Sequence, residues 1–279
     1  AAAKNIAQLA LSNGSEDNLS IQIVRINSLA VDEPSEVQHQ INSLPLPPTI
    51  EPGDKFDGYT ILRTLYDSAR SHVYLATDEE AQQSVVLKTP STDLSHDQNY
   101  LERFLMEEWI ARRINNAHVQ AASPISRQRN FIYTVTEYID GQTLSQWILD
   151  NPTPSLERVR CIIEQVAKGL RGFHRMDMLH QDLTPENIMI DNHDCVKIID
   201  FGSTRVAGIS ERISLDQQDH HLGTALYSAP EYFLGEIGSE RSDYYSLGVL
   251  TYFLLSGRYP YGTHVPGART VAAQRKLRY

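Results

Sequence analysis

Strand-like segments come before helical segments in the folded part of this chain, and this order restricts the fold more than any other feature of the sequence. Short strand-like segments such as Tyr59–Leu65 and His72–Thr77 come first, and turn residues separate them. After Gly141 the apolar residues recur at helical spacing, most regularly from Val159 to Phe173. The order predicts an α+β fold with a small β-rich N-terminal lobe, a helical C-terminal lobe and a crevice between them.

Four short motifs follow one another in the second half of the chain. In order they read His180-Gln-Asp182-Leu-Thr-Pro-Glu-Asn187, Asp200-Phe-Gly202, Gly223-Thr224-x-x-Tyr227-Ser-Ala229-Pro230-Glu231 and Asp243-Tyr-Tyr-Ser-Leu-Gly248. A single tripeptide of this kind recurs by chance, whereas four motifs in a fixed order with these gaps form a specific pattern. The pattern resembles the catalytic domain of eukaryotic-like protein Ser/Thr kinases, and the resemblance covers nearly everything after residue 58.

The resemblance implies transfer of the γ-phosphoryl group of ATP, with Mg²⁺ or Mn²⁺, to a Ser or Thr hydroxyl of a protein substrate. Phosphoryl transfer needs an in-line hydroxyl, neutralised phosphate charge and exclusion of water. By resemblance, Asp182 would accept or orient the proton of the substrate hydroxyl. Asn187 and Asp200 would hold the metal, which prefers hard oxygen ligands.

The N-terminal lobe resembles the nucleotide-binding lobe of the same family. Val85-Val86-Leu87-Lys88 is similar to the strand whose lysine contacts the α- and β-phosphates. Its expected partner on the following helix is Glu107, which shares a face with Ile110 and Ile114, and the adjacent Glu108 is the alternative. The resemblance assigns the rest of the nucleotide pocket to Tyr66, Ser68 and Ser71 over the phosphates, Val73 and Ala76 as an apolar roof, Thr136 behind the adenine, and Glu137, Tyr138 and Ile139 as hinge backbone groups.

The phosphate loop departs from the family pattern. Tyr66-Asp-Ser68-Ala-Arg-Ser71-His-Val73 replaces all three glycines of Gly-x-Gly-x-x-Gly-x-Val. Glycine lets backbone N–H groups approach phosphates closely and adopt a positive φ. Serine remains small and adds a hydroxyl donor for phosphate, whereas Tyr66 is bulky. We therefore expect weaker or slower nucleotide binding.

The catalytic loop also departs from the pattern, at Gln181 and Thr184. Gln181 replaces an arginine that normally pairs with a phosphorylated activation segment, so we expect activity without phosphorylation there. Thr184 replaces a lysine typical of Ser/Thr kinases and removes a cation from the γ-phosphate site. Thr224 still favours Ser/Thr over Tyr specificity, and Asp243 is expected to brace the catalytic loop through backbone hydrogen bonds.

Three functions are compatible with these residues. An active protein kinase is favoured because the matched lysine, carboxylates and asparagine are all present. A catalytically weak pseudokinase, acting as a nucleotide-sensing or scaffolding module, is favoured by the missing glycines, Gln181 and Thr184. A small-molecule kinase of the same fold is disfavoured by the complete Gly-Thr…Ala-Pro-Glu segment, which implies a shelf for a protein substrate.

The sequence before the kinase-like region divides into two further zones. Residues 1–28 contain Gly14-Ser-Glu-Asp17-Asn18-Leu-Ser20-Ile-Gln-Ile after a helix rich in Ala and Leu. This segment is similar to the closing helix and strand of metal-dependent Ser/Thr phosphatases, and the resemblance implies a metal ligand at Asp17. An Asx-turn before a strand explains the same pattern. Residues 29–57 contain five prolines and predict a linker. Together with a kinase-like domain over 58–279 (lobes 58–140 and 141–279), this order resembles bacterial bifunctional phosphatase–kinase proteins.

Further expectations concern the ends of the chain and its surroundings. The kinase-like domain should be incomplete at its C-terminal end, which leaves Glu231 without the arginine that the family places opposite it. The fragment should lack phosphatase activity, since one metal ligand cannot catalyse alone. A net charge of −10 argues against nucleic acid as the main partner, and two cysteines without a CxxC spacing argue against a disulfide framework. The sequence contains no apolar run of the roughly 20 residues that span a bilayer, so a cytoplasmic location is expected.

Overall fold

The computed structural model describes residues 2–15, 34–94, 96–124, 127–207 and 222–278. Contacts divide the chain into two compact units, residues 1–36 and 37–279. In the first unit, helix α1 (Ala2–Ser12) ends at a turn in which Gly14 has a φ of 84°. The helix agrees with the sequence prediction, while the predicted strand after it and the proposed ligand Asp17 lie outside the described residues.

Residues 37–57 are more ordered than the predicted linker. Helix α2 (Pro34–Ser43) places Val37 in the main apolar core, and the partly buried Ile41 and Leu44 pack against that core. Ile50 is buried as well, and the Pro45 carbonyl accepts a hydrogen bond from Ile132 N at 2.9 Å. Val37, Ile41 and Leu44 recur at helical spacing, but this apolar pattern is too short to predict a helix in a segment that contains five prolines. The domain boundaries themselves stay a prediction.

The N-terminal lobe is a five-stranded antiparallel sheet with one long helix. The elements are β1 (Lys55–Phe56), β2 (Tyr59–Asp67), β3 (Ser71–Asp78), β4 (Gln83–Pro90), helix α3 (Gln98–Arg113) and β5 (Thr134–Glu137). The strands lie in sequence order, and Val73 of β3 pairs with Lys88 of β4. Asp97 caps α3 by accepting a hydrogen bond from Tyr100 N at 3.0 Å.

The C-terminal lobe is built around two long helices, α5 and α7. Its elements are β6 (Gly141–Thr143), α4 (Leu144–Asp150), α5 (Leu156–His174), β7 (Met178–Leu179), β8 (Ile188–Asp191), β9 (Val196–Ile198), β10 (Arg205–Val206), α6 (Leu222–Ala225), α7 (Glu240–Ser256) and α8 (Val271–Gln274). The apolar face of α5, including Leu170 and Phe173, is fully buried in the core. This arrangement agrees with the predicted α+β fold of two lobes. Within the described ranges, no helix is long and apolar enough to cross a membrane.

The β8–β9 hairpin brings two motif-bearing loops together. Ile188 pairs with Ile198, and Ile199 N donates a hydrogen bond of 2.9 Å to the Asn187 carbonyl. The end of the loop from His180 and the start of the loop at Asp200 therefore lie side by side.

Candidate active site

A buried ion pair joins the sheet to the helix of the N-terminal lobe. Lys88 Nζ on β4 lies 2.6 Å from Glu107 Oε2 on α3, and both side chains are largely buried. Glu108 is turned away from Lys88 and accepts a hydrogen bond of 2.7 Å from Arg129 Nη1. Of the two candidate glutamates, the structure thus places Glu107 against the lysine.

Charges around this pair shift both pKa values. Burial would lower the pKa of Lys88, but the carboxylates of Glu107 and Asp200 outweigh burial and raise it, so the ammonium stays charged. Burial raises the pKa of Glu107 to about 7, with Asp200 adding to the shift and Lys88 opposing it. Asp200 contributes to both pKa shifts, so the Asp200-Phe-Gly202 motif of the C-terminal lobe lies close to this ion pair.

Asp200 lies at a left-handed turn against the ion pair. Its φ is 64°, and its Oδ1 accepts a hydrogen bond from Gly202 N at 3.0 Å. Burial would raise the pKa of Asp200, but the Lys88 ammonium and the hydrogen bond from Gly202 N, with a smaller contribution from His180, together outweigh burial and lower it. The residue as a whole is still exposed to solvent.

Because Gly202 has no side chain, the carboxylates of Glu107 and Asp200 can both lie close to it. A Cβ built at this position would lie 2.9 Å from Glu107 Oε1 and 3.3 Å from Asp200 Oδ1. Any larger residue would therefore displace one of these groups.

The loop of Asp182 is held by hydrogen bonds at both ends. Asn187 Nδ2 donates to the Asp182 carbonyl at 2.9 Å and to Asp182 Oδ2 at 3.0 Å. Buried Asp243 accepts hydrogen bonds from His180 N (3.0 Å) and Gln181 N (2.9 Å). Asp243 thus braces the loop through backbone hydrogen bonds, as the sequence predicts, and stabilises Gln181 at a φ of 67°.

The predicted hinge begins at Glu137, the last residue of β5. Thr136 pairs with Val86, and the Glu137 carbonyl accepts a hydrogen bond from Gln120 Nε2 at 3.1 Å. Lys197 Nζ of β9 lies 2.6 Å from Glu137 Oε1. Lys197 gives no functional signal in the sequence, because a lysine between two apolar strand residues typically faces solvent.

The remaining predicted nucleotide residues are spread over the N-terminal lobe. Val73 is half-buried beside Lys88, whereas Ala76 and Ile139 are buried in the protein. Tyr66 is 63% exposed at the start of the glycine-free loop. The hydroxyl of Ser68 contacts the backbone of its own loop, at Ser71.

A known protein family matches most of the chain. The family described as "Protein kinase domain" matches residues 59–277. This chain belongs to that family. The match includes the strand of Lys88 and the loops of Asp182 and Asp200.

Bacterial Ser/Thr kinases are among the similar proteins. The chain is 29% identical over 210 residues to the serine/threonine-protein kinase PrkC of Bacillus subtilis, covering 75% of this chain and 32% of PrkC. It is 33% identical over 196 residues to PknA of Corynebacterium glutamicum, covering 68% and 41%. It is 31% identical over 203 residues to PknL of Mycobacterium tuberculosis, covering 73% and 50%. The chain therefore spans about a third to a half of the length of these relatives.

Glu231 has a hydrogen-bond partner close to it in the chain. Ser242 Oγ at the start of α7 donates a hydrogen bond of 2.5 Å to Glu231 Oε1. A neighbouring hydroxyl satisfies this carboxylate, which sequence order alone did not reveal.

Proposed function

We propose that this chain is an ATP-dependent protein kinase that transfers a γ-phosphoryl group to Ser or Thr hydroxyls of a protein substrate. The observation that carries the proposal is the convergence of Lys88, Glu107 and Asp200 around Gly202. Asp182 and Asn187 lie on the loop beside them. This set provides a cation, a metal-binding carboxylate and a base at one crevice, as phosphoryl transfer requires.

The available ligands fit Mg²⁺ or Mn²⁺ shared with a nucleotide. Asn187 and Asp200 would hold the ion through hard oxygen atoms. Among the residues that the structure describes, no group of three or more His, Cys, Asp or Glu side chains could hold a metal ion. Mg²⁺ usually keeps water and phosphate oxygens as ligands, so two protein ligands are enough to hold it beside a nucleotide. When bound, the metal nucleotide would supply the phosphoryl group and neutralise its charge.

The chain's own residues would position the reactants. The Lys88 ammonium, held by Glu107, would orient the phosphates. The hydrogen bond from Asn187 fixes the Asp182 carboxylate, which would accept the proton of the incoming hydroxyl. Thr184 offers no cation for the γ-phosphate, so these two interactions would have to suffice.

A catalytically weak pseudokinase is the second candidate. The observation that favours it is the glycine-free loop, in which Ser68 Oγ accepts hydrogen bonds from the backbone of Arg70 and Ser71. The N–H groups of Arg70 and Ser71, which could donate to phosphate, therefore already have an acceptor in the protein. In this function the domain would sense nucleotide for an attached partner.

Coupling to a phosphatase domain in the same chain is also part of the proposal. It rests on the sequence around Asp17 and on the order of the segments, since residues 16–33 lie outside the described part of the chain. We expect hydrolysis of p-nitrophenyl phosphate with Mn²⁺ to stay at background, because one carboxylate cannot assemble a metal centre.

A transfer assay with radiolabelled ATP and a generic protein substrate tests the kinase function. We expect phosphate incorporation by the wild-type chain and none by Asp200→Ala. Equal incorporation by both proteins would reveal a contaminant. If transfer is absent but ATP still raises the melting temperature, the pseudokinase function is favoured.

A further inference from the structure

The loop between β2 and β3 needs no glycine for its own conformation. None of residues 66–73, all of which the structure describes, has a positive φ. Residues 68–71 form a tight turn in which Ser68 N donates to the Ser71 carbonyl at 3.1 Å. The replacement of the three glycines of the family pattern is therefore compatible with an unstrained turn.

The Ser68 side chain closes this turn from inside. Its Oγ accepts hydrogen bonds from Arg70 N at 3.3 Å and Ser71 N at 3.1 Å, and it donates to the Ser71 carbonyl at 3.0 Å. Serine hydroxyls commonly bond to backbone groups of the turns that they open. Here Ser68 Oγ already accepts hydrogen bonds from the two N–H groups at the tip of the loop, those of Arg70 and Ser71.

The tip of the loop is also tied to the helix that carries Glu107. The Arg70 carbonyl accepts hydrogen bonds from Ser91 N at 2.8 Å and from the Tyr100 hydroxyl. Tyr100 lies on α3, two turns before Glu107. The loop is thus held closed by Ser68 and held in place by α3.

We propose that Ser68 is a built-in competitor for the nucleotide phosphates. In kinases the loop at this place covers the phosphates, and its N–H groups are natural anion ligands. A phosphate must replace Ser68 Oγ to reach Arg70 N and Ser71 N, which weakens its binding. Ser68 therefore sets a low affinity specifically for the phosphate part of the nucleotide. This inference rests on the proposed nucleotide site.

The direction of the effect of Ser68→Ala decides between this inference and direct phosphate contact. We expect Ser68→Ala to lower the Kd for ATP and ADP, with Mg²⁺, by about three- to tenfold, the range for one lost hydrogen bond. Ser68→Gly should change the Kd in the same direction. Ser68→Thr keeps the hydroxyl and should behave as the wild type. Adenosine has no phosphate, so its Kd should be equal in all four proteins, as measured by calorimetry.

Three results would overturn the inference. A higher Kd for ATP in Ser68→Ala would mean that the hydroxyl binds phosphate directly. An unchanged Kd would mean that the cap does not compete. Parallel shifts for ATP and adenosine would mean that the loop is merely loosened. The kinase function is judged separately by the transfer assay, in which it fails if the wild-type chain transfers no phosphate or no more than Asp200→Ala does. If no variant binds ATP, both proposals fail.

Discussion

At the scale of single residues, Glu107 combines two requirements that conflict. Its carboxylate must be charged to hold Lys88, yet it is buried near a second carboxylate, Asp200. A metal ion at Asp200 would relieve the repulsion between the carboxylates. In the metal-free protein the repulsion remains, so the protonation of Glu107, and with it the stability of the protein, should depend on pH.

The metal-free protein should lose stability as the pH rises from about 5 to 8. The pKa of Glu107 in the folded state, about 7, exceeds its ordinary value of 4.5, so the folded state binds more protons in this window and the free energy of unfolding falls with pH. The contribution is at most about 3 kcal/mol. Urea unfolding in EDTA should show a flatter pH profile for Glu107→Gln, and identical profiles would contradict the assignment.

Gly202 should be intolerant of even one methyl group. A Cβ there would lie 2.9 Å from Glu107 Oε1, the flexible end of a side chain, so Gly202→Ala should displace that carboxylate rather than unfold the protein. We expect phosphate transfer to fall by about tenfold or more, the scale of a misplaced catalytic group. Gly248→Ala, where nothing lies within 4 Å of the new Cβ, is the matched control and should keep full activity. Equal activities of the two variants would contradict this prediction.

At the scale of elements, helix α3 is held from two sides. One side carries Glu107 toward Lys88. On the other side, buried Glu108 accepts hydrogen bonds from Arg129 and lies 3.0 Å from Arg112 Nη2. The Arg129 guanidinium also donates to the Tyr133 carbonyl at 2.8 Å, which ties the helix to the segment leading into β5. This network sets the rotation of α3 and hence the direction of Glu107.

Removing Glu108 should destabilise the protein strongly. Glu108→Ala leaves the nearly buried Arg129 without its carboxylate, and breaking a buried ion pair from one side costs about 3–5 kcal/mol. Glu157→Ala breaks an exposed pair with Arg160 and should change the free energy of unfolding by less than about 1 kcal/mol. Urea denaturation of both variants measures the difference. Similar losses would show that the network contributes little.

At the scale of the whole molecule, the two lobes are joined by more than the chain between them. Lys197 of the C-terminal lobe, which lies three residues before Asp200 in the sequence, binds Glu137 at the end of the N-terminal sheet. Asp243 of α7 accepts hydrogen bonds from the backbone of the loop that carries Asp182. Contacts among unmodified residues therefore hold this loop.

Activity should not depend on phosphorylation of the activation segment. Gln181 carries no charge that could pair with a phosphate group, and its backbone is already held by Asp243. Treatment with a phosphatase, followed by its removal, should leave the transfer rate within about twofold, the range of effects below 0.5 kcal/mol. The activity of Gln181→Arg should depend more strongly on this treatment. Loss of wild-type activity on dephosphorylation would contradict the prediction.

The sequence by itself determined the two-lobed α+β fold and the loops that carry Asp182, Asn187 and Asp200, because short motifs and apolar spacing are local properties of the chain. Only the tertiary structure decided between Glu107 and Glu108, since adjacent helix positions differ by the rotation of the helix against its neighbours. The same is true of Lys197, whose partner Glu137 lies 60 residues away. It is also true of Ser68, because only the backbone conformation shows that its hydroxyl closes the turn. Interactions between distant segments depend on packing, and packing is absent from a local pattern.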